Sequence, residues 1–270
     1  MTDEPSFTEA TAVAAAGSGQ WSGAFAPGWD ILGNTNGGYT LAVASRAASA
    51  SEDGRLPVSV TGHFVRRART GPITVRTETV RSGRRFSVVR SDISQDGAVV
   101  LATIGTYSAD PGTAETLLAD ATPVDLPPPE KCERVTSSKT GPFPPPSMDR
   151  FEMRAGPNLA RMAAEGPTGQ ARIDGWLRLH NNEPFDAHAL IMATDAFPPT
   201  AFNAGLPVGW TPTLELTVHL RATRVVGWLK CEYTTRFVSG GYLEEDGLIW
   251  DENDNLVAQS RQLALVSQPQ

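Results

Sequence analysis

Residues 33–50 read GNTNGGYTLAVASRAASA, a turn-forming segment followed by an alanine-rich apolar run. Glycine and asparagine are typical of turns, whereas the run from Tyr39 to Ala50 is rich in helix formers. Apolar residues lie on most sides of this run, so it predicts a buried helix that begins at the turn. Such a helix needs other elements to cover it, and the residues that follow supply them.

Four strands are predicted directly after this helix. Their turns, such as Ser82-Gly83 and Asp96-Gly97, are typical of hairpins. Ahead of the helix, residues 7–16 predict a short helix and residues 21–31 a strand interrupted by Pro27. The four predicted strands are Val58–Arg66, Ile73–Ser82, Arg85–Gln95 and Ala98–Tyr107.

The second half of the chain repeats this order. Asn182 is the predicted N-cap of a helix that runs to about Phe197, with Glu183 and Pro184 in its first turn. Residues 151–154 and 172–179 are strand-like, and four more strands follow the helix. These are Thr213–Arg221, Trp228–Val238, Tyr242–Asp251 and Leu256–Val266.

Three landmarks recur in both halves at a nearly constant separation. His63 and His219 are 156 positions apart, and two turn signals recur after 157 and 158 positions. This regularity predicts an internal repeat, each copy being one helix wrapped by an antiparallel sheet. The turn signals are the pairs Ser82 with Ser239 and Asp96 with Asp254.

A proline-rich segment separates the two copies, with eight prolines between Thr122 and Pro146. Proline runs favour extended linkers and are excluded from the centre of a sheet. We therefore predict an N-terminal repeat at residues 1–120, a linker at 121–147 and a C-terminal repeat at 148–270.

Composition excludes several classes of protein. The chain has 270 residues, 40% of them hydrophobic, so it can bury a core, and no apolar run reaches the ~18–20 residues of a membrane span. Cys132 and Cys231 form no Cys-x-x-Cys pair, and the four histidines have no metal-ligand spacing. The N-terminus lacks the cationic start of a secretory signal. We expect a cytoplasmic protein without membrane insertion.

Charge is unevenly distributed. The net charge of −7 argues against nucleic acid as the main partner. Residues 66–90 nevertheless hold eight arginines against one glutamate. Arginine matches the geometry of phosphate groups, so Arg84 and Arg85 are candidate contacts for a phosphorylated ligand. The alternative is a set of solvated strand faces.

The order of these motifs resembles the acyl-CoA thioesterase II family, which has a double-hotdog fold in the α+β class. In the first half the resemblance is carried by Asn36-Gly37-Gly38-Tyr39, His63-Phe64-Val65-Arg66-Arg67 and residues 81–87. In the second half it is carried by Ala193-Thr194-Asp195, Pro212-Thr213-Leu214-Glu215 and residues 257–262. The resemblance covers most of the chain.

The resemblance implies hydrolysis of acyl-CoA to free acid and CoA by an Asp, a Thr or Ser, and a Gln. By local match these are Asp195, Thr213 and Gln262. The sequence departs from the family pattern after Thr213, so Thr211 is a rival for the hydroxyl. No metal or redox cofactor is implied. We expect acyl-CoA as substrate and a homo-oligomer.

The residues themselves favour these roles to different degrees. Asp195 sits near the end of an otherwise apolar predicted helix, where both burial and the negative end of the helix dipole oppose its charge. A carboxylate placed there suggests a base that activates water. Gln262 alternates with small residues on the last strand, which leaves room for a ligand. Gly37 and Gly38 are candidate substrate contacts through their N–H groups, although a simple turn is an alternative.

Only the second half supplies the full polar trio, because Ser45 and Arg46 stand near the position of Asp195 in the first half. We therefore expect one working site per chain. Two other functions stay open: a non-catalytic protein that binds acyl-CoA or lipid, and an enoyl-CoA hydratase. A hydratase would need an Asp and a His acting together.

Overall fold

A computed structural model describes residues 5–109, 116 and 118–267. The described residues contain five α-helices. They are α1 Phe7–Ala10, α2 Gly37–Ser51, α3 Pro157–Glu165, α4 Ala187–Ala193 and α5 Thr200–Asn203. Short 3₁₀ turns span Pro129–Lys131, Pro146–Asp149 and His180–Asn182.

The strands of the first half are β1 Val13–Gly17, β2 Gln20–Phe25, β3 Asp30–Ile31, β4 Asn34–Thr35, β5 Leu56–Phe64, β6 Gly71–Ser82, β7 Phe86–Gln95 and β8 Ala98–Ser108. Those that follow are β9 Arg134–Val135, β10 Phe151–Ala155, β11 Arg172–Leu179, β12 Phe185–Asp186, β13 Thr213–Leu220, β14 Arg224–Val225, β15 Leu229–Thr234, β16 Val238–Ser239, β17 Tyr242–Asp251 and β18 Leu256–Leu265.

Within the described residues, one 14-stranded sheet spans both halves of the chain. Its strand order is β1-β2-β6-β7-β8-β5-β13-β18-β17-β15-β11-β10-β9, with β16 paired to β17, and every pairing is antiparallel. The predicted α+β class is therefore confirmed, with the antiparallel strands of the two halves joined in one continuous sheet. In the described parts of the chain, no helix is long and apolar enough to cross a membrane.

The two halves join through β5 and β13 at the centre of the sheet. In their register Thr61 lies opposite Thr217, which is also its equivalent at the 156-residue separation. A residue that faces its own equivalent lies on a pseudo-twofold axis. The two threonine hydroxyl oxygens are 2.9 Å apart there.

Helices α2 and α4 lie side by side against the sheet, where α2 packs on β5 to β8 and α4 on β13 and β18. Leu41, Ala42, Ala44, Ala47 and Ala48 of α2 are fully buried. The small alanine side chains allow the backbones to approach closely. The alanine-rich run thus forms the buried helix that the sequence predicts.

The N-cap of α4 differs from the sequence prediction. The helix begins after Asp186, whose side chain accepts a hydrogen bond from the N–H of Ala189 at 2.7 Å. Asn182 lies instead in a 3₁₀ turn with a φ of 57°. The Glu183 carboxylate accepts hydrogen bonds from the amides of Phe7 and Thr8 at the start of α1. Pairing of β12 with β14 keeps the chain extended up to Asp186.

Three further elements were missed or misplaced by the sequence pattern. The helix predicted at residues 7–16 ends at Ala10, and residues 13–17 form β1. Helix α3 was not predicted from the sequence, although Leu159 and Met162 give it an apolar side. Within the proline-rich segment, Arg134 and Val135 pair with β10 at the edge of the sheet, where proline-flanked strands are tolerated.

Candidate functional site

Asp195 lies just after α4, and its carboxylate reaches the N-terminus of α2 in the other half of the chain. Oδ2 accepts a hydrogen bond from the N–H of Gly38 at 2.8 Å and one from Nδ2 of Asn36 at 3.2 Å. The amide of Gly37 also faces the carboxylate. Within the described residues, the hydrogen bonds from Gly38 and from Asn36 to this carboxylate both end on Oδ2.

There is no room for a side chain at either of the two glycines that begin α2. A Cβ on Gly37 would lie 2.9 Å from Oδ2 of Asp195 and 3.2 Å from the ring of Phe64. A Cβ on Gly38 would lie 2.8 Å from the carbonyl oxygen of Met192 and 2.8 Å from Cβ of Asp195. Any side chain here would push α4 away. The sequence predicts these glycines as substrate contacts, whereas the amide of Gly38 holds the carboxylate of Asp195.

The electrostatic setting of Asp195 has two opposed parts. Helix α4 ends at Ala193 and not at the predicted Phe197, so the carboxylate lies beyond its C-terminal end. It also caps the positive end of α2, which favours its charge. Burial raises the pKa of Asp195 to about 6, against the lowering effect of the hydrogen bonds from Gly38, Gly37 and Asn36. The residue keeps part of its surface exposed. The result is an accessible carboxylate that is ionised at neutral pH and more basic than an ordinary aspartate.

Gln262 lies on the face of β18 that packs toward the helices. It is 6% exposed, and its cross-strand neighbours are Leu216 on β13 and Glu245 on β17. None of the described residues donates to or accepts from its amide in a hydrogen bond. The amide thus keeps its donor and its acceptor available for a ligand or water.

A bulge brings Thr213 to the same face as Gln262. Leu216 and Gln262 are cross-strand partners and share one face of the sheet. With strict alternation along β13, Thr213 would lie on the other face. The register shifts between Thr213 and Glu215, however, so that Thr213 lies opposite Ala264, two residues after Gln262. The hydroxyl of Thr211 is buried with no hydrogen-bond partner among the described residues. Both threonines therefore stay candidates for the site hydroxyl.

The sequence interpretation missed two residues that belong to this cluster. Asn36 caps α2 by accepting from the N–H of Tyr39 at 2.8 Å, while its Nδ2 donates to Asp195. Glu245 is a buried carboxyl opposite Gln262, and it interacts electrostatically with Asp195. A signal was available for each. Asparagine before a helix is a typical N-cap, and Glu245 occupies an apolar register position in β17.

An open cleft of ≈ 790 Å³ lies next to the start of β13 and the end of β18. Pro212, between the two candidate threonines, and Leu265 belong to its lining. Phe143 and Trp210 supply aromatic surface, and Arg67 supplies a positive charge. Its lining matches a ligand with an apolar part and an anionic part.

Arg84 and Arg85 do not join this cluster. Both are exposed in the hairpin between β6 and β7. That hairpin lies by the C-terminal end of α2, because Arg55, just after the helix, donates to the carbonyl of Gly83 at 2.8 Å. Asp195 lies at the other end of α2, a helix of 15 residues and so about 22 Å long.

The N-terminus of α4 has the opposite arrangement to that of α2. Its N-cap, Asp186, forms an ion pair with Arg46 of α2 at 2.8 Å. His188 is buried beside this pair, and burial lowers its pKa to about 4. The ion pair of Arg46 with Asp186 at the start of α4 thus stands where Asp195 stands at the start of α2. In the described residues, no group of side chains is arranged to hold a metal ion.

The fold recurs in solved structures. A candidate thioesterase II from Thermobifida fusca YX is 33% identical with a TM-score of 0.86, over 97% of both chains. A protein of unknown function with a hot dog fold from Alicyclobacillus acidocaldarius is 24% identical with a TM-score of 0.85, over 98% of both chains. The acyl-CoA thioesterase II TesB2 from Mycobacterium marinum has a TM-score of 0.71 at 20% identity, over 97% of this chain and 98% of that one. The class of protein is therefore the double hotdog.

Family models refine this class. The acyl-CoA thioesterase N-terminal domain matches residues 25–108, and the C-terminal domain matches residues 123–266. An uncharacterized protein of Mycobacterium tuberculosis is 26% identical over 260 residues, 88% of each chain. The chain belongs to the acyl-CoA thioesterase family, which confirms the resemblance predicted from the sequence.

Proposed function

We propose that this protein hydrolyses acyl-CoA thioesters by direct attack of water. The water oxygen bonds to the thioester carbon while Asp195 accepts its proton. The carbon–sulfur bond then breaks, and the CoA sulfur leaves as a thiolate that takes up a proton. The products are a free acid and CoA. Family membership and the surroundings of Asp195 support this proposal.

The observation that carries the proposal is the carboxylate of Asp195 on the N-terminus of α2. Its Oδ2 is held by Gly38 and Asn36, which orients Oδ1 for a water molecule. A pKa of about 6 suits a general base at neutral pH, because the group is ionised yet more basic than usual. We propose that Gly37 and Gly38 act through this carboxylate.

We propose that Gln262 and one threonine complete the site. The amide of Gln262 has both a donor and an acceptor free within the described chain, so it can bind the attacking water or the thioester oxygen. Thr213, or its rival Thr211, can hold the same water through its hydroxyl. The neighbouring cleft, with Arg67 in its lining, would take part of the acyl-CoA.

We infer one working site per chain. At the equivalent place in the first half, Arg46 pairs with Asp186 at the N-terminus of α4, where the second half has the carboxylate of Asp195. The hydratase alternative would need an Asp and a His that are both available to the substrate, and the pair at this place is not. Asp186 and His188 interact electrostatically, but His188 is buried and the Asp186 carboxylate is occupied by Arg46 and the helix amides.

The test is release of free thiol from a panel of acyl-CoAs of different chain length. We expect sustained release with at least one of them. A matched pair of variants on β18 sharpens the test, because Gln262 and Gln259 point to opposite faces of the same strand. Gln262→Ala should lower kcat by about 10–100-fold, on the scale of a lost hydrogen-bond donor, and Gln259→Ala should not.

Two results would count against hydrolysis. Binding of acyl-CoA by calorimetry without thiol release would favour the non-catalytic binding protein. Equal activity of the two glutamine variants would remove Gln262 from the site.

A further inference from the structure

Glu245 is a buried carboxyl without a cationic partner. It is 7% exposed, and within the described residues no Arg, Lys or His forms an ion pair with it. Its Oε2 accepts a hydrogen bond from the N–H of Thr200 at the start of α5, at 2.7 Å. The side chain of Thr200 also interacts with this carboxyl. An isolated ionised carboxylate is costly in such a place, and the neutral acid is favoured.

The groups that face Glu245 also favour the protonated form. They are the carboxylates of Asp195 after α4 and of Glu244 on its own strand, while Tyr233 on β15 faces Glu245 as an uncharged phenol. Burial raises the pKa of Glu245 to about 7, with Asp195 and Glu244 adding to the effect and the hydrogen bonds from Thr200 opposing it. The protonated acid has an O–H to donate, and the ionised acid has none.

Gln262 lies directly opposite Glu245 in the register of β17 and β18. Side chains in such pairs have Cβ atoms about 5 Å apart on one face of the sheet. Both side chains are almost fully buried, and no hydrogen bond joins the amide of Gln262 to another described residue. A hydrogen bond between them satisfies both groups, and its direction depends on the proton of Glu245.

We propose that protonated Glu245 is a positioning residue, whose O–H donates to Oε1 of Gln262 and turns the amide NH₂ toward the water or thioester at Asp195. When Glu245 loses this proton, its carboxylate accepts from the NH₂ group instead. The amide then presents its oxygen to the site, and the donor is lost. This inference rests on the proposed hydrolysis.

The consequence is a rate that falls on both sides of a narrow pH range. Hydrolysis requires Asp195 to be ionised and Glu245 to be protonated, and their pKa values are about 6 and about 7. The profile of kcat against pH reports groups in the enzyme–substrate complex. We expect an acidic limb from Asp195 and an alkaline limb from Glu245.

The experiment compares kcat for thiol release between about pH 5 and pH 9 in the wild-type protein and in variants of Glu245. In Glu245→Gln the amide oxygen accepts from Thr200 and the NH₂ donates to Gln262, which mimics the protonated acid. We expect this variant to lose the alkaline limb and to keep the wild-type maximum within about threefold. Glu245→Ala should also lose the limb, with kcat lowered about 10–100-fold because the amide is no longer oriented. Glu232→Gln, which neutralises a carboxylate paired with Arg172, should keep the wild-type profile.

The outcomes separate this inference from the proposed function. If the wild-type protein releases no thiol, the proposed function fails and the inference fails with it. If the wild-type protein is active but its rate stays level up to about pH 9, or if Glu245→Gln keeps the alkaline limb, the inference alone is overturned. Should Glu245→Gln not fold, Glu245→Met takes its place, and an alkaline limb in that variant overturns the inference equally.

Discussion

Substitution of Gly38 by alanine tests whether the contact between α2 and α4 positions Asp195. The added methyl group would lie 2.8 Å from the carbonyl oxygen of Met192 and 2.8 Å from Cβ of Asp195. Ordinary contacts begin at about 3.4 Å, so the helices must separate by several tenths of an ångström. The hydrogen bond from Gly38 to Asp195, now 2.8 Å, must then lengthen or bend.

The magnitude follows from two terms. Overpacking of this kind costs about 1–3 kcal/mol of unfolding free energy, and the better helix propensity of alanine offsets up to about 1 kcal/mol. We therefore expect a net loss of about 1–2 kcal/mol. A shift of a catalytic group by about 1 Å costs about 100-fold in rate, so a displacement of several tenths of an ångström should lower kcat by about 10-fold in the folded protein.

The assay pairs urea unfolding with thiol release at saturating acyl-CoA. The matched control is Gly141→Ala, whose new Cβ would meet only Oγ of Ser138 at 3.7 Å. We expect this control to match the wild-type protein in both measurements. If Gly38→Ala folds stably and keeps kcat within about threefold, the contact does not position the base and the reasoning is refuted.

Three further outcomes are expected. Replacing Arg46 by methionine leaves Asp186 unpaired and should lower the unfolding free energy by about 1–3 kcal/mol. The kcat of the folded variant should be unchanged. A large fall in kcat would show that this end of α4 takes part in catalysis. Neutralising Arg84 and Arg85 together should leave KM within about twofold, since both lie at the far end of α2, whereas a larger rise in KM would restore the phosphate contact predicted from the sequence. Because the pKa of Glu245 is raised, its contribution to stability is greatest below the unfolded value of 4.5 and is lost as pH rises to about 7. Between pH 4 and pH 8, denaturant titrations should show the unfolding free energy of Glu245→Gln gaining about 3 kcal/mol relative to that of the wild type. An equal pH dependence in both proteins would contradict this.

Much of the fold follows from local patterns. Helix α2 is specified by its alanine-rich composition and by the asparagine before it. The separation of 156 residues between His63 and His219 predicts the repeat, and the pairing of Thr61 with Thr217 places its axis. These features depend on neighbours in sequence or on periodicity, which a single sequence displays.

The candidate site depends on contacts that a sequence does not display. Asp195 accepts a hydrogen bond from Gly38, which is 157 positions away in the chain. The sequence around Asp195 therefore does not show that its carboxylate lies at the positive end of α2. The face of Thr213 depends on a bulge that breaks the alternation of β13. The N-cap of α4 is Asp186 and not the predicted Asn182, because strand pairing keeps Phe185 and Asp186 extended. Glu245, in contrast, stands at an apolar position of a regular strand and could have been found.

The most direct test of hydrolysis by Asp195 is kcat for thiol release in Asp195→Asn at saturating acyl-CoA, with thermal melts of the same sample. Asparagine keeps the shape and can still accept from Gly38 through its side-chain oxygen, so the fold should survive. Because the basic carboxylate is lost, we predict that kcat falls by about 10²–10⁴-fold, the scale of a positioned general base. Near-normal turnover in a well-folded Asp195→Asn protein would contradict the account.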